Sequence, residues 1–261
     1  MRGKEVRLRR IMKNGKSVVI PMDHGVTDGP IKGIENIREM VDLVSSGGAT
    51  AILLHKGVLK QLEKLPDCGL IMHLSGSTAL GPDPNWKVAV GTVEEAVKLG
   101  VDAVSIHVNI GNEKEPKMLK HLGQVSGDCE NWGMPLIAMM YPRGKNIDSL
   151  DPKAIAHASR IGAELGADII KTPFTGEEST FEKVVKGCPV PIIIAGGPKT
   201  ETDRETLQMV KDAMDAGAIG VAMGRNAFQH QKPTAIVRAI SEIVKNGISV
   251  EEALQILGST A

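Results

Sequence analysis

Eight short apolar runs, most of them followed by a helical pattern, constrain this chain more than any other feature. They fall at residues 18–23, 51–56, 69–74, 103–109, 136–141, 168–171, 191–197 and 220–225. Each is nearly continuous in Ile, Val, Leu, Met and Ala rather than alternating, the pattern of parallel strands buried on both faces. The segments between them carry helix punctuation. Thr92…Glu95, Ser179…Glu182 and Thr202…Glu205 read as capping boxes, and Asp151-Pro152 reads as an N-cap followed by the first helical residue. Ala154, Ala158, Ile161 and Leu165 fall on one helical face, as do Leu207, Val210 and Met214. Gly100, Gly166 and Gly217 stand where helices should stop.

Eight such units without a linker predict one α/β domain over residues 1–261, a (β/α)8 TIM barrel with right-handed crossovers. Short helical extensions are expected at both ends, the last, at 250–257, packing outside the barrel. The alternative is an open doubly wound sheet, which calls for a Gly-rich nucleotide turn after its first strand. Pro21-Met22-Asp23-His24-Gly25 is not GxGxxG, and this counts against it.

Composition narrows the function. Lys+Arg and Asp+Glu balance at 31 each and aromatics are 2%, so neither charge nor stacking surface favours nucleic acid or a membrane face. No apolar run is long enough to span a bilayer. The charged start (Arg2, Lys4, Glu5, Arg7, Arg9, Arg10) reads as a solvated first helix. Cys68, Cys129 and Cys188 are scattered without a CxxC pair, as suits a reducing cytoplasm.

In a barrel of this kind chemistry belongs at the C-terminal ends of the strands. There the sequence offers Asp23-His24, His55-Lys56, His73, His107 with Asn109, Tyr141, Lys171, Gly196-Gly197 and Gly224-Arg225. Lys171 closes the run 167–171, just before Thr172-Pro173. Partial burial disfavours a charged amine and leaves a nucleophile suited to imine formation with a carbonyl. The plainer reading is that Lys171 reaches solvent or pairs with Asp168. Tyr141, the only tyrosine, and Asp23 would join Lys171 around one point at the mouth, as proton-transfer groups. Each alone reads equally well as a core tyrosine or a capping aspartate. Gly196-Gly197 and Gly224-Arg225 close strands seven and eight, where phosphate sites of such barrels lie, and favour a phosphorylated substrate. His55, His73 and His107 invite a zinc reading but lack HxH or HExxH spacing, and are expected to be satisfied rim groups. Lys56 is a rival nucleophile, expected to be more exposed.

Pro21-Met22-Asp23-His24-Gly25, Tyr141-Pro142-Arg143-Gly144, Ile169-Ile170-Lys171-Thr172, Ala195-Gly196-Gly197 and Met223-Gly224-Arg225 together resemble the archaeal-type class I aldolases related to deoxyribose-phosphate aldolase. The resemblance runs over almost the whole chain, in the same order. Fructose-bisphosphate aldolases of this type carry Glu-His after Asp-His-Gly-x, and a tryptophan two residues before the tyrosine. Thr27-Asp28 and Met139 stand at those places here. The departures point to the other branch, transaldolases that open an alternative route to dehydroquinate and the aromatic amino acids.

The resemblance implies the following reaction. Lys171 forms an imine with the C5 ketone of 6-deoxy-5-ketofructose 1-phosphate, and the C3–C4 bond breaks. Asp23 accepts a proton as hydroxypyruvaldehyde phosphate leaves. The retained hydroxyacetone enamine attacks L-aspartate 4-semialdehyde, and Tyr141 protonates the new alkoxide. Asp23, His24, Gly25, Val26, Thr27, Tyr141, Pro142, Arg143, Lys171, Gly196, Gly197, Gly224 and Arg225 would hold the sugar phosphate. No metal and no dissociable cofactor is implied, and a homo-oligomer, a ring or pair of rings, is. The alternatives are a fructose-bisphosphate aldolase, a non-catalytic sugar-phosphate-binding barrel and, last, a metal-dependent aldolase.

Overall fold

The computed structural model describes residues 2–258. In chain order the first strands are β1 (Ser17–Pro21), β2 (Ala51–Leu54) and β3 (Gly69–His73). A short antiparallel pair follows, β4 (Ser75–Gly76) and β5 (Val88–Ala89). Then come β6 (Ala103–Ile110), β7 (Leu136–Pro142), β8 (Ile169–Pro173), β9 (Ile192–Ala195) and β10 (Gly220–Ala222). Helix α1 (Arg2–Ile11) precedes β1, α2 (His24–Asp28) and α3 (Ile37–Ser46) follow it, and α4 (Lys56–Leu59) follows β2. Helices α5 (Val93–Lys98), α6 (Glu115–Trp132), α7 (Pro152–Glu164), α8 (Glu178–Gly187) and α9 (Asp203–Asp215) alternate with the strands from β5 to β10. The chain continues through α10 (Arg225–Phe228), α11 (Pro233–Asn246) and α12 (Val250–Gly258).

The eight apolar runs are the eight strands of a closed parallel barrel in the order β1-β10-β9-β8-β7-β6-β3-β2. The (β/α)8 architecture expected from the pattern is therefore the one formed. Its strands bury both faces, as a continuous apolar composition requires. Outward residues such as Ile20, Ile52, Met72, Ile106, Met140, Ile170 and Ile194 pack against the helices. Inward residues Val19, Leu53, Ile71, Ile137, Ile169 and Ile193 fill the barrel.

The first helix is not simply solvated. Ile11 at its end is fully buried and belongs to the barrel interior, closing the N-terminal end. Its carbonyl accepts hydrogen bonds from the Ser17 and Thr50 hydroxyls at 2.9 and 2.8 Å. Lys4 pairs with Asp168 at 3.1 Å and with Glu130, and Arg10 pairs with Asp102 at 3.4 Å. Gly69 is required here: a Cβ on it would lie 2.7 Å from Ile11 Cγ2 and 2.8 Å from the Arg10 carbonyl oxygen.

The capping boxes at Thr92 and Thr202 and the Asp151 cap form as expected. Gly100, Gly166 and Gly217 all adopt positive φ beyond helix ends. Two local readings need correcting. Helix α8 starts at Glu178 with Glu177 as its cap, so Ser179 lies inside the first turn and caps nothing. Helix α7 buries Ile155, Ala158, Ser159 and Gly162 rather than the face through Ala154 and Ile161. The rotation follows from Gly162, whose missing side chain admits Ile170 and Met140; a Cβ there would be 2.7 Å from each.

Candidate active site

Strand alternation decides which side chains enter the mouth of the barrel. On β7, Ile137, Met139 and Tyr141 point inward in succession. On β8, Ile169 points inward, and Lys171, two residues on, shares its face. Lys171 does not end its strand as the sequence suggested. Pairing continues through Thr172 and Pro173 to Ile194 and Ala195, so the lysine is held inside the ladder. It is 7% exposed, and Asp168 is engaged by Lys4 instead, so the pairing read from sequence spacing does not form. Its Nζ lies 4.0 Å from the sulfur of Met139, its register partner on β7.

The cavity at the C-terminal mouth has a volume of about 210 Å³. Lys171, Tyr141 and Asp23 all line it, as do His24, Thr27, Arg143, Gly196, Gly197, Gly224 and Arg225. Three residues expected at the substrate do not. Gly25 and Val26 lie exposed on α2, which starts at His24 and carries them outward. Pro142 follows inward-facing Tyr141 on β7 and so takes the opposite face. The two positions that separate the branches of the resembled group, Thr27-Asp28 and Met139, all line the cavity.

Asp23 sits among basic groups. Its Oδ2 is 3.7 Å from His73 Nε2 and its Oδ1 is 3.8 Å from His24 Nδ1. Burial alone would raise its carboxyl, but His73, His24, Lys171 and His55 outweigh burial and hold it well below the usual carboxylate range. His73 is 4% exposed, and its Nδ1 meets the Ser105 hydroxyl at 2.7 Å. Burial pushes it down to about 3 against the pull of Asp23. The His73–Asp23 contact therefore joins a neutral imidazole to a carboxylate and is no salt bridge. Burial likewise lowers His24, His55 and His107. His107 packs on the Tyr141 ring at 4.8 Å between centroids, and its Nε2 lies 2.9 Å from Asn109 Oδ1. Because the Asn109 amide donates to the Asn85 carbonyl at 2.6 Å, the assigned orientation leaves Oδ1 to accept, and places the His107 proton on Nε2.

The glycines expected to approach a phosphate have packing reasons of their own. A Cβ on Gly224 would meet His24 Cε1 at 2.6 Å and the Pro21 carbonyl oxygen at 2.7 Å, and one on Gly196 would meet Met223. Gly197 has φ +63, which favours glycine. Asn226, absent from the sequence reading, stitches the two loops: it donates to the Gly196 carbonyl at 3.0 Å and accepts from the Thr200 amide at 2.9 Å. Arg225 donates to the Gly197 carbonyl at 3.0 Å, while its Nε and His24 Nδ1 are buried without a hydrogen-bond partner among the described residues.

Lys87 was also missed. It lines the cavity from the hairpin between β3 and α5, a stretch with no strand-end signature. The rival Lys56 is paired with Glu95 at 2.8 and 2.9 Å outside the cavity. Among the described residues no group of three or more His, Cys, Asp or Glu is arranged to hold a metal ion. Nor is any helix long and apolar enough to cross a membrane.

A barrel with an amine, a phenol and a carboxylate enclosed at its C-terminal mouth defines a class: enzymes equipped for imine chemistry on carbonyl compounds. The chain matches the DeoC/LacD family aldolases over residues 17–230 and belongs to that family. It is 47% identical to 2-amino-3,7-dideoxy-D-threo-hept-6-ulosonate synthase 1 of Archaeoglobus fulgidus, covering 99% of this chain and 97% of that one. It is 39% identical to 2-amino-4,5-dihydroxy-6-oxo-7-(phosphonooxy)heptanoate synthase of Streptomyces griseus, covering 93% and 90%. Among solved structures, an archaeal fructose-1,6-bisphosphate aldolase with its catalytic lysine bound to the carbinolamine intermediate superposes with a TM-score of 0.87. That protein is 33% identical, with 93% of this chain and 99% of the other covered.

Proposed function

We propose that the protein is a Schiff-base transaldolase. It moves the hydroxyacetone unit of 6-deoxy-5-ketofructose 1-phosphate to L-aspartate 4-semialdehyde, giving 2-amino-3,7-dideoxy-D-threo-hept-6-ulosonate and hydroxypyruvaldehyde phosphate. The observation that carries the chemistry is the enclosure of Lys171 in one cavity with Tyr141 and Asp23, without an ion-pair partner of its own among the described residues. The similarity to the synthase of Archaeoglobus fulgidus supports the choice of substrates.

In this reading Nζ of Lys171 adds to the C5 carbonyl and water leaves, giving an iminium. The C3–C4 bond breaks, its electrons pass into the iminium as an enamine, and the C3 hydroxyl loses its proton as it becomes an aldehyde. Asp23, ionised and facing Lys171, stabilises the cation. Its lowered proton affinity makes it a poor proton store, and this reading therefore gives both transfers to Tyr141. Entering cleavage as the phenolate, Tyr141 takes the C3 hydroxyl proton, and the phenol so formed returns it to the new alkoxide in addition. Hydrolysis frees the product and restores the amine. Nothing in this sequence calls for a metal or a dissociable cofactor. Exposed Val6 and Trp132, on the neighbouring helices α1 and α6, support assembly into a homo-oligomer.

Mixing the protein with both substrates and following both products by mass spectrometry tests the proposal. The expected result is product that requires both substrates, with slower cleavage of fructose 1,6-bisphosphate. Rapid cleavage of the bisphosphate, with no product from the pair, would overturn it in favour of the aldolase.

A further inference from the structure

The imine at Lys171 has two flanks. Strand β8 lies between β7 and β9, so Tyr141 and Arg143 stand on one side, and the Gly196-Gly197 and Gly224-Arg225 loops on the other. A ketone condensed with the amine sends one arm to each. The arm whose bond breaks must lie on the Tyr141 flank, where the hydroxyl proton is handled. That flank ends in two cations. Arg143 places its guanidinium over the Tyr141 ring at 4.6 Å, and half-buried Lys87 enters the same cavity with its ammonium on the Ser77 hydroxyl. The loop bearing Lys87 is fixed: Asn109 donates to the Asn85 carbonyl at 2.6 Å, and Asn112 to the Asp83 carboxylate at 3.3 Å. Neither cation is in an ion pair among the described residues. Burial and then Arg143 lower the Lys87 ammonium, and both cations help to lower His107 beside them. Two unpaired cations sharing a pocket invite an anion.

The reaction supplies two anions in turn. The leaving aldehyde carries a phosphate a few bonds from its reacting carbon, and the acceptor carries a carboxylate at nearly the same remove. Both aldehydes meet the same enamine carbon, so their tails run in the same direction. We propose that Lys87 and Arg143 form a single anion subsite, which holds the phosphate of the leaving aldehyde and then the carboxylate of the acceptor. The glycine loops then face the methyl end of the donor, the opposite of the role expected for them from sequence. This assignment rests on the transaldolase reading.

The test compares wild type with Lys87→Met, Lys87→Arg and Arg225→Gln. With the donor sugar, kcat/KM is measured for succinic semialdehyde and for butanal, a neutral aldehyde of the same chain length. Wild type is expected to prefer the carboxylate. Lys87→Met should lose at least about tenfold of that preference, with butanal slowed less than succinic semialdehyde because both share only the loss at the donor's phosphate, and Lys87→Arg should recover part of it. Arg225→Gln should keep the preference. Calorimetric binding of inorganic phosphate, which needs no turnover, should weaken at least about tenfold in Lys87→Met and little in Arg225→Gln. Preference and phosphate binding that survive Lys87→Met, or that vanish only in Arg225→Gln, would overturn the assignment. Failure of the transaldolase reading has a separate signature: no borohydride-trapped adduct of wild type with hydroxyacetone, which lacks an anionic tail.

Discussion

Met139 and Lys171 are register partners on adjacent strands, with the thioether sulfur 4.0 Å from the amine that the proposed chemistry uses. The side chain at 139 therefore forms one wall of the space in which an imine would grow. Replacing it by the tryptophan of the bisphosphate aldolases adds a large ring to a buried wall of the cavity, at a cost of up to about 1–3 kcal/mol in stability where the ring meets packed neighbours. Met139→Trp is expected to lower transaldolase kcat/KM by at least about tenfold, while bisphosphate cleavage falls less. Steady-state kinetics on both substrates, with a thermal melt as control, checks this.

Lys171→Met separates chemistry from folding. An apolar chain of similar length suits a site bordered by Met139 and Ile193, though it removes one of the basic neighbours of buried Asp23. Turnover should fall at least about a thousandfold, because the covalent route is gone. The melting temperature should hold or fall by a few degrees, since His73, His24 and His55 still face Asp23. A large drop in melting temperature would instead make the lysine a structural group.

Tyr141→Phe keeps the ring against His107 and removes only the hydroxyl. The imine should still form and be trapped by borohydride. Turnover should fall about 10²–10⁴-fold, the usual contribution of a positioned acid–base group. Unchanged turnover would place the proton transfers elsewhere.

The buried histidines make stability depend on acid in a definite direction. His73 in the folded protein is pushed down to about 3 from 6.5, so as pH falls below 6.5 the unfolded chain takes up its proton first. Stability is then lost progressively down to about 3. His24, His55 and His107 act with the same sign. Asp23, whose folded value is lowered, contributes stability above its unfolded value of 3.8 and loses it as pH falls further. Each fully coupled group contributes a slope of up to about 1.4 kcal/mol per pH unit. Denaturant titrations at pH 7, 6 and 5 should show falling stability, with a shallower fall in His73→Asn, which leaves one titrating group fewer.

Gly224→Ala tests the packing reason for that glycine. The new methyl would press on His24 and the Pro21 carbonyl, at a cost of about 1–3 kcal/mol. A loss of stability without added substrate supports packing. Weaker phosphate binding at unchanged stability supports backbone contact instead.

Much of this architecture is legible in the residues. The eight strands are written in nearly continuous Ile, Val, Leu, Met and Ala, and Lys171, Tyr141 and Asp23 stand out because they break apolar runs. What the sequence hides is three-dimensional. That Lys171 is interior to β8 depends on pairing with β9, a contact no local pattern encodes. Lys87 has no strand of the barrel to mark it, and reaches the cavity only because Asn109 and Asn112, on and just beyond β6, tie down its loop. The face of α7 was misjudged because Gly162, invisible to an apolar count, is the point of closest approach. The burial of α1 depends on the barrel floor it closes, which the charged composition of the helix does not reveal.

The most direct test of the imine at Lys171 is borohydride reduction in the presence of 6-deoxy-5-ketofructose 1-phosphate and, separately, fructose 1,6-bisphosphate, with the adduct mapped by peptide mass spectrometry. The predicted result is a stable adduct on the peptide containing Lys171, much stronger with the deoxyketo sugar. No adduct with either sugar, in folded protein that binds phosphate, or an adduct on another lysine, would contradict it.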